Sequence, residues 1–148
     1  MTDGQTQYVE IGDMVSFSKT LTETDLVMFC AISGDFDPIH VDEEYAKSTV
    51  FGRRIAHGIL SMALLSTVAA MMSAKAKERG FSGTSVSMGF DKLRFVKPVF
   101  VGDTLTATYC VDEVAAERGR SYSAVSVTNQ EGETCVAGRH IMRWLAPE

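Results

Sequence analysis

Apolar positions recur at helical spacing in the first half of the chain and alternate in the second. In "LTETDLVMFCAISGD", Leu26, Phe29, Cys30 and Ser33 share one helical face. Thr22 stands at an N-cap position, Glu23 and Asp25 fall in the first turn, and Gly34 is a stop, so a helix is predicted from about Glu23 to Ser33. A short helical turn is predicted at "DEEYAKS", with Asp42 as its cap. The dominant element begins near Gly58 and reaches about Arg79, which at ~1.5 Å per residue is roughly 33 Å of helix. It carries no charge before Lys75 and is expected to be buried nearly all round. The same composition could suit a membrane span. Against that stand His57, Gly58, Ser61, Ser66, Thr67 and Ser73 within the stretch, and the lack of a second span; no membrane association is expected.

Strands are predicted beyond this helix. Val86, Met88 and Phe90 alternate, then Leu93 and Phe95 resume on the other phase, which predicts a bulge at Asp91 and Lys92. Leu105, Ala107, Tyr109 and Val111 alternate in the next strand. Tyr122 to Thr128 and Cys135 to Leu145 follow, joined by a hairpin turn at "NQEGE". The pattern is α+β: a meander of four antiparallel strands wrapped around one long helix, with a second copy of the chain closing the apolar surface that remains.

Composition narrows the setting. The 148 residues fit one domain spanning 1–148, with 45% hydrophobic and 22% charged residues. A net charge of −5 argues against nucleic acid as a partner, because phosphate binding needs a basic face. Cys30, Cys110 and Cys135 are widely spaced and odd in number, which suits neither a disulfide framework nor a zinc knuckle. The start, "MTDGQTQYVEIGD", is polar and acidic and does not read as a signal peptide, so a reducing, cytoplasmic setting is expected.

The candidate chemistry concentrates in "SGDFDPIHVD", Ser33 to Asp42. Asp35 and His40 sit five residues apart in what reads as a non-helical turn, with Pro38 fixing the backbone and Phe36 and Ile39 as anchors. A carboxylate and an imidazole converging on one water can do general acid and base work near neutral pH. The plainer reading is a polar turn in which Asp37 and Asp42 cap nearby amides. His57 and Gly58 stand where the long helix begins, where amides lack intrahelical partners and carry positive partial charge. With no side chain on Gly58, a ligand carbonyl could approach its N–H. His57 reads equally as a core histidine bonded to backbone. A metal site of Asp35, His40 and His57 is disfavoured, since the histidines are seventeen residues apart and form no i, i+4 ligand pair.

These residues resemble a known family. "SGDFDPIHVDEEYAKSTVFGRRIAHGILSMALLSTV" closely resembles the hydratase motif of MaoC-like, (R)-specific enoyl-CoA hydratases: S-G-D-x-N-P-hydrophobic-H, then H-G about seventeen residues later, then a helix serine. The matching positions are Ser33, Gly34, Asp35, Pro38, His40, His57, Gly58 and Ser66. "LRFVKPVFVGDTL" resembles the family's second signature, and the likeness runs from about Glu10 to Met142. One departure stands out: the usual Asn between Asp and Pro is Asp37.

The resemblance implies a hot-dog fold, a homodimer with pockets near the interface, and syn addition of water across a trans-2-enoyl-CoA to give the (R)-3-hydroxyacyl-CoA. It implies Asp35 and His40 as the water-activating pair, Gly58 as the thioester carbonyl donor, and Ser66 and His57 in the pocket. Arg53, Arg54, Lys92, Arg94 and Lys97 are the candidates for the CoA phosphates. No cofactor and no metal is expected. Two rival readings are a thioesterase on the same fold, in which water attacks the thioester carbon, and a non-catalytic acyl-CoA-binding module. The latter usually carries a further DNA-binding or effector domain, for which the chain leaves no length.

Overall fold

The computed structural model describes residues 8–147. β1 (Met14–Thr20) leads into α1 (Glu23–Ser33). Two short helices follow, α2 (Pro38–Val41) and α3 (Glu43–Lys47), and then α4 (Gly58–Glu78). The chain ends in β2 (Thr84–Phe95), β3 (Thr104–Ala115), β4 (Arg120–Thr128) and β5 (Thr134–Leu145). The helix starts follow from capping chemistry. Thr22 and Asp25 form a reciprocal capping box on α1, and Asp42 accepts the Tyr45 amide to start α3.

The five strands form one antiparallel sheet in the order β1-β3-β4-β5-β2. Leu105, Ala107, Tyr109 and Val111 of β3 alternate inward, and so do Met142 and Trp144 of β5. They meet Leu65, Val68, Met72 and Ala76 of α4, all fully buried, to form the core. This is the sheet-wrapped helix of the hot-dog fold. α4 is long and apolar enough to cross a membrane by length and composition, but it is the core helix of this sheet.

Four expectations need correction. The strands are not a four-strand meander. β1 joins as a fifth, pairing Met14 with Cys110 through Thr20 with Thr104, and β2 lies beyond β5 rather than beside β3. To reach β3 the chain crosses the end of the sheet through residues 96–103, and on the way the Val99 carbonyl accepts the Ala56 amide at 2.7 Å. Second, β2 slips register twice, between Ser87 and Gly89 as well as at the expected Asp91–Arg94 step, where Lys92 takes φ 52°. Third, α4 is not buried all round within one chain: Ile59, Ala63, Ser66, Ala70 and Ala74 form an exposed stripe, because one sheet covers one face of a cylinder. Fourth, the turn holding His40 is helical. Asp37 caps it and Pro38 enters at its first position, where the missing N–H costs nothing.

Candidate active site

Local hydrogen bonds build the crowded loop. Gly34 adopts φ 77° and closes α1 by donating to the Cys30 carbonyl at 2.8 Å, a left-handed cap suited to glycine. Ser33 Oγ accepts the Asp35 amide at 3.1 Å, Asp35 Oδ1 accepts the Asp37 amide at 3.2 Å, and Asp37 Oδ1 accepts the Ile39 amide at 3.0 Å. Each short polar side chain thus serves an amide about two residues on, the usual device for a tight turn. Asp37 is the N-cap of α2 and Asp42 that of α3, so the capping reading holds for both.

This scaffold brings Asp35, His40 and His57 together, with one polar atom of each within 4.8 Å of the others. His40 Nδ1–H donates to the Ile55 carbonyl at 2.7 Å. That bond fixes the tautomer: in the neutral ring Nε2 is a free acceptor. His40 stacks on His57 with ring centroids 3.7 Å apart and planes 29° from parallel. His57 is 3% exposed and its Nε2–H donates to the Asp35 carbonyl at 3.1 Å. The free oxygen of Asp35, Oδ2, lies 3.8 Å from the same nitrogen. Phe29 and Cys30 of α1 wall His57 from the far side, at 4.6 Å between ring centroids and 3.8 Å from Sγ to Nε2. His57 is therefore a buried histidine bonded to backbone that braces both members of the pair. One nitrogen of each ring is committed to a carbonyl and the rings are stacked, so each imidazole keeps one further nitrogen for a proton or an ion.

His57 is also the N-cap of α4, yet it makes no side-chain capping bond, so the first amides of the helix are left for another acceptor. Gly58 opens into a cavity of about 310 Å³ whose walls include Ile55, Ser61, Phe95, Val99 and Val136. A Cβ at position 58 would stand 2.9 Å from the Phe95 ring, so any side chain there would have to displace the ring. Asp35 and His40 do not line this cavity. They adjoin it through Ile55, whose carbonyl holds His40, and through His57, which precedes Gly58.

The other candidates fall elsewhere. Ser66 lies two turns along α4, about 12 Å from Gly58 at ~1.5 Å per residue, in a separate groove beside β2 with Ser73, Ser85 and Ser87. Arg54 forks onto both oxygens of Glu23 at 2.8 and 3.0 Å and reaches Glu43 at 3.0 Å, and these carboxylates push its pKa up. Lys97 lines the cavity but pairs with Glu133. Arg53 stacks on Phe100 with its guanidinium 3.8 Å from the ring centroid, and Arg94 donates to the Leu93 carbonyl at 2.8 Å. Neither these two nor the exposed Lys92 makes an ion pair among the described residues. Sequence reasoning missed Phe95 as a cavity wall and Ser61 as a polar group within it.

Comparison with known proteins places the chain in a family. Residues 7–133 match the family described as MaoC like domain. The chain belongs to the MaoC-like domain family. Among its relatives in this family, an (R)-specific enoyl-CoA hydratase of Rhodospirillum rubrum is 36% identical over 74% of this chain and 71% of its own. An (R)-specific enoyl-CoA hydratase of Aeromonas caviae is 30% identical over 93% of this chain and 96% of its own. The solved structure of an (R)-hydratase from A. caviae involved in PHA biosynthesis superimposes with a TM-score of 0.81 at 29% identity, covering 94% of this chain and 99% of that one.

Proposed function

We propose that this MaoC-like enzyme adds water to a trans-2-enoyl-CoA, giving the (R)-3-hydroxyacyl-CoA, and runs the reverse dehydration. The observation that carries the reading is the His40 Nδ1–H bond to the Ile55 carbonyl at 2.7 Å, which leaves Nε2 as a base on a ring that lies beside the Asp35 carboxylate. A water held by Asp35 gives a proton to this site as its oxygen adds to the β-carbon. The α-carbon takes a proton back on the same face, so H and OH add syn and no other reactant is consumed. The Gly58 N–H stabilises the negative charge that grows on the thioester oxygen. Arg53, Lys92 and Arg94 are the cations left free for CoA phosphates, whereas Arg54 and Lys97 are neutralised by acids. The active species is a cytoplasmic homodimer.

Asp35→Asn and His40→Ala should each lower hydration of a short enoyl-CoA by ~10²–10⁴-fold while the fold is kept. Loss of the conjugated double bond is followed by absorbance, with free CoA assayed in parallel. Near-wild-type turnover in either variant rejects that residue. Release of free CoA by the wild type would make the protein a thioesterase.

A further inference from the structure

Ser61 presents an anomaly. It lies in the first turn of α4, is 2% exposed, and its hydroxyl has no hydrogen-bond partner among the described residues. Buried hydroxyls normally find partners, and each exception asks for a reason. A helical serine has a ready local solution, the carbonyl four residues back. Ser33 takes it, donating to the Phe29 carbonyl at 2.7 Å. Ser61 has the same option at the His57 carbonyl, which its own amide reaches at 3.2 Å, and the hydroxyl leaves it unused.

Ser61 is instead one of the residues that wall the cavity. Ser61 and Gly58 line the same space, and the rest of that wall is largely apolar, including Ile55, Phe95, Val99 and Val136. Helical side chains lean toward the N-terminus, so Ser61 Oγ reaches back over the turn that begins at Gly58. Two unsatisfied donors, the Gly58 amide and the Ser61 hydroxyl, therefore border one apolar pocket at the positive end of α4.

We propose that Ser61 is a second hydrogen-bond donor to the thioester oxygen, working with the Gly58 amide. The assignment rests on the hydratase reading above and adds to it a side-chain donor. A two-point hold fixes the carbonyl plane and so orients the conjugated double bond against the water at Asp35 and His40.

The test is Ser61→Ala, read by kcat on crotonyl-CoA, by thermal unfolding, and by the infrared carbonyl band of ¹³C-labelled crotonyl-CoA bound to an Asp35→Asn background. Ala is the best helix former and removes only the unpaired hydroxyl, so the melting temperature should be unchanged or higher. The kcat should fall toward the ~10²–10³-fold typical of one lost oxyanion donor, and the bound carbonyl band should move back toward its free frequency. Unchanged kcat with an unmoved band overturns the Ser61 assignment and leaves the hydratase reading standing. A loss of kcat that comes with a lowered melting temperature and an unmoved band also overturns it, since the hydroxyl then serves the fold. If the wild type fails to hydrate any enoyl-CoA, the hydratase reading itself fails.

Discussion

Gly58 illustrates how one residue can be fixed by its neighbour as well as by chemistry. Its missing side chain exposes an amide, and the space a Cβ would occupy is filled by the Phe95 ring at 2.9 Å. Gly58→Ala keeps the N–H but pushes the ring, which is half exposed and free to tilt into the cavity. We expect turnover to fall by about 10²-fold, the scale of a substrate misplaced by about 1 Å, with the fold intact. Phe95→Ala on top of Gly58→Ala should recover part of that loss in a kcat/KM measurement. No recovery would mean that the ring is not the obstacle. At this scale the sequence was informative where residue types are rare. Asp35, His40 and His57 stood out because the chain has only three histidines. Ser61 did not stand out, because α4 holds other serines and only burial and an unused hydroxyl tell it from Ser66, which faces solvent.

Among the elements, β2, β3 and β5 are tied by a polar cluster. His140 of β5 is 1% exposed, with Nε2 2.7 Å from Ser87 Oγ of β2 and Nδ1 3.0 Å from the Tyr109 hydroxyl of β3. Burial raises the Tyr109 pKa to about 12 and pushes that of His140 down to about 4. The folded state thus prefers the neutral imidazole. Below the ordinary value of 6.5 the unfolded chain takes up a proton that the folded chain refuses. This contribution is therefore complete above pH 6.5 and is lost as pH falls toward 4. The loss should be on the order of 3 kcal/mol in urea unfolding across that window. His140→Gln should show a flatter profile between the same limits, and an equally steep one would remove His140 as the cause. The pattern of the chain gave no sign of this cluster, because a histidine at an inward strand position has no spacing of its own. β1 was missed for a related reason: it has only Val15 and Phe17 as apolar marks on its inner side, amid Ser and Thr. Helix boundaries were legible, since Thr22, Gly34 and Asp42 each specify a cap. The place of β2 beyond β5 was not, because strand order depends on contacts far apart in the chain.

For the molecule as a whole, the uncovered surfaces are themselves informative. The stripe of Ile59, Ala63, Ser66, Ala70 and Ala74 on α4 runs beside β2, a twelve-residue edge strand on which Val86 and Met88 are exposed. A long edge and a bare helix face invite pairing, and a second copy offers the same pair of surfaces about a twofold axis. Light scattering at micromolar concentration should report a species of twice the 16.1 kDa chain mass. A single-chain mass would contradict the homodimer. Lys or Glu in place of Ala70 places a charge on that stripe and should shift the equilibrium toward single chains.

The crossing between β2 and β3 has a consequence for how such a chain can diverge. Every residue assigned here to the substrate or to the water lies between Asp35 and Val99, before the crossing is complete. The strands after it, β3 to β5, reach the cavity only through Cys135 and Val136. The chemistry therefore lies in the first block of sequence, which shares the framework with the second through β1, α4 and β2. Changes in the first block can retune which acyl group is accepted while the second keeps its part of the sheet. The second block can drift in composition with less effect on the site, provided its inward alternation and the cavity walls at Cys135 and Val136 are kept.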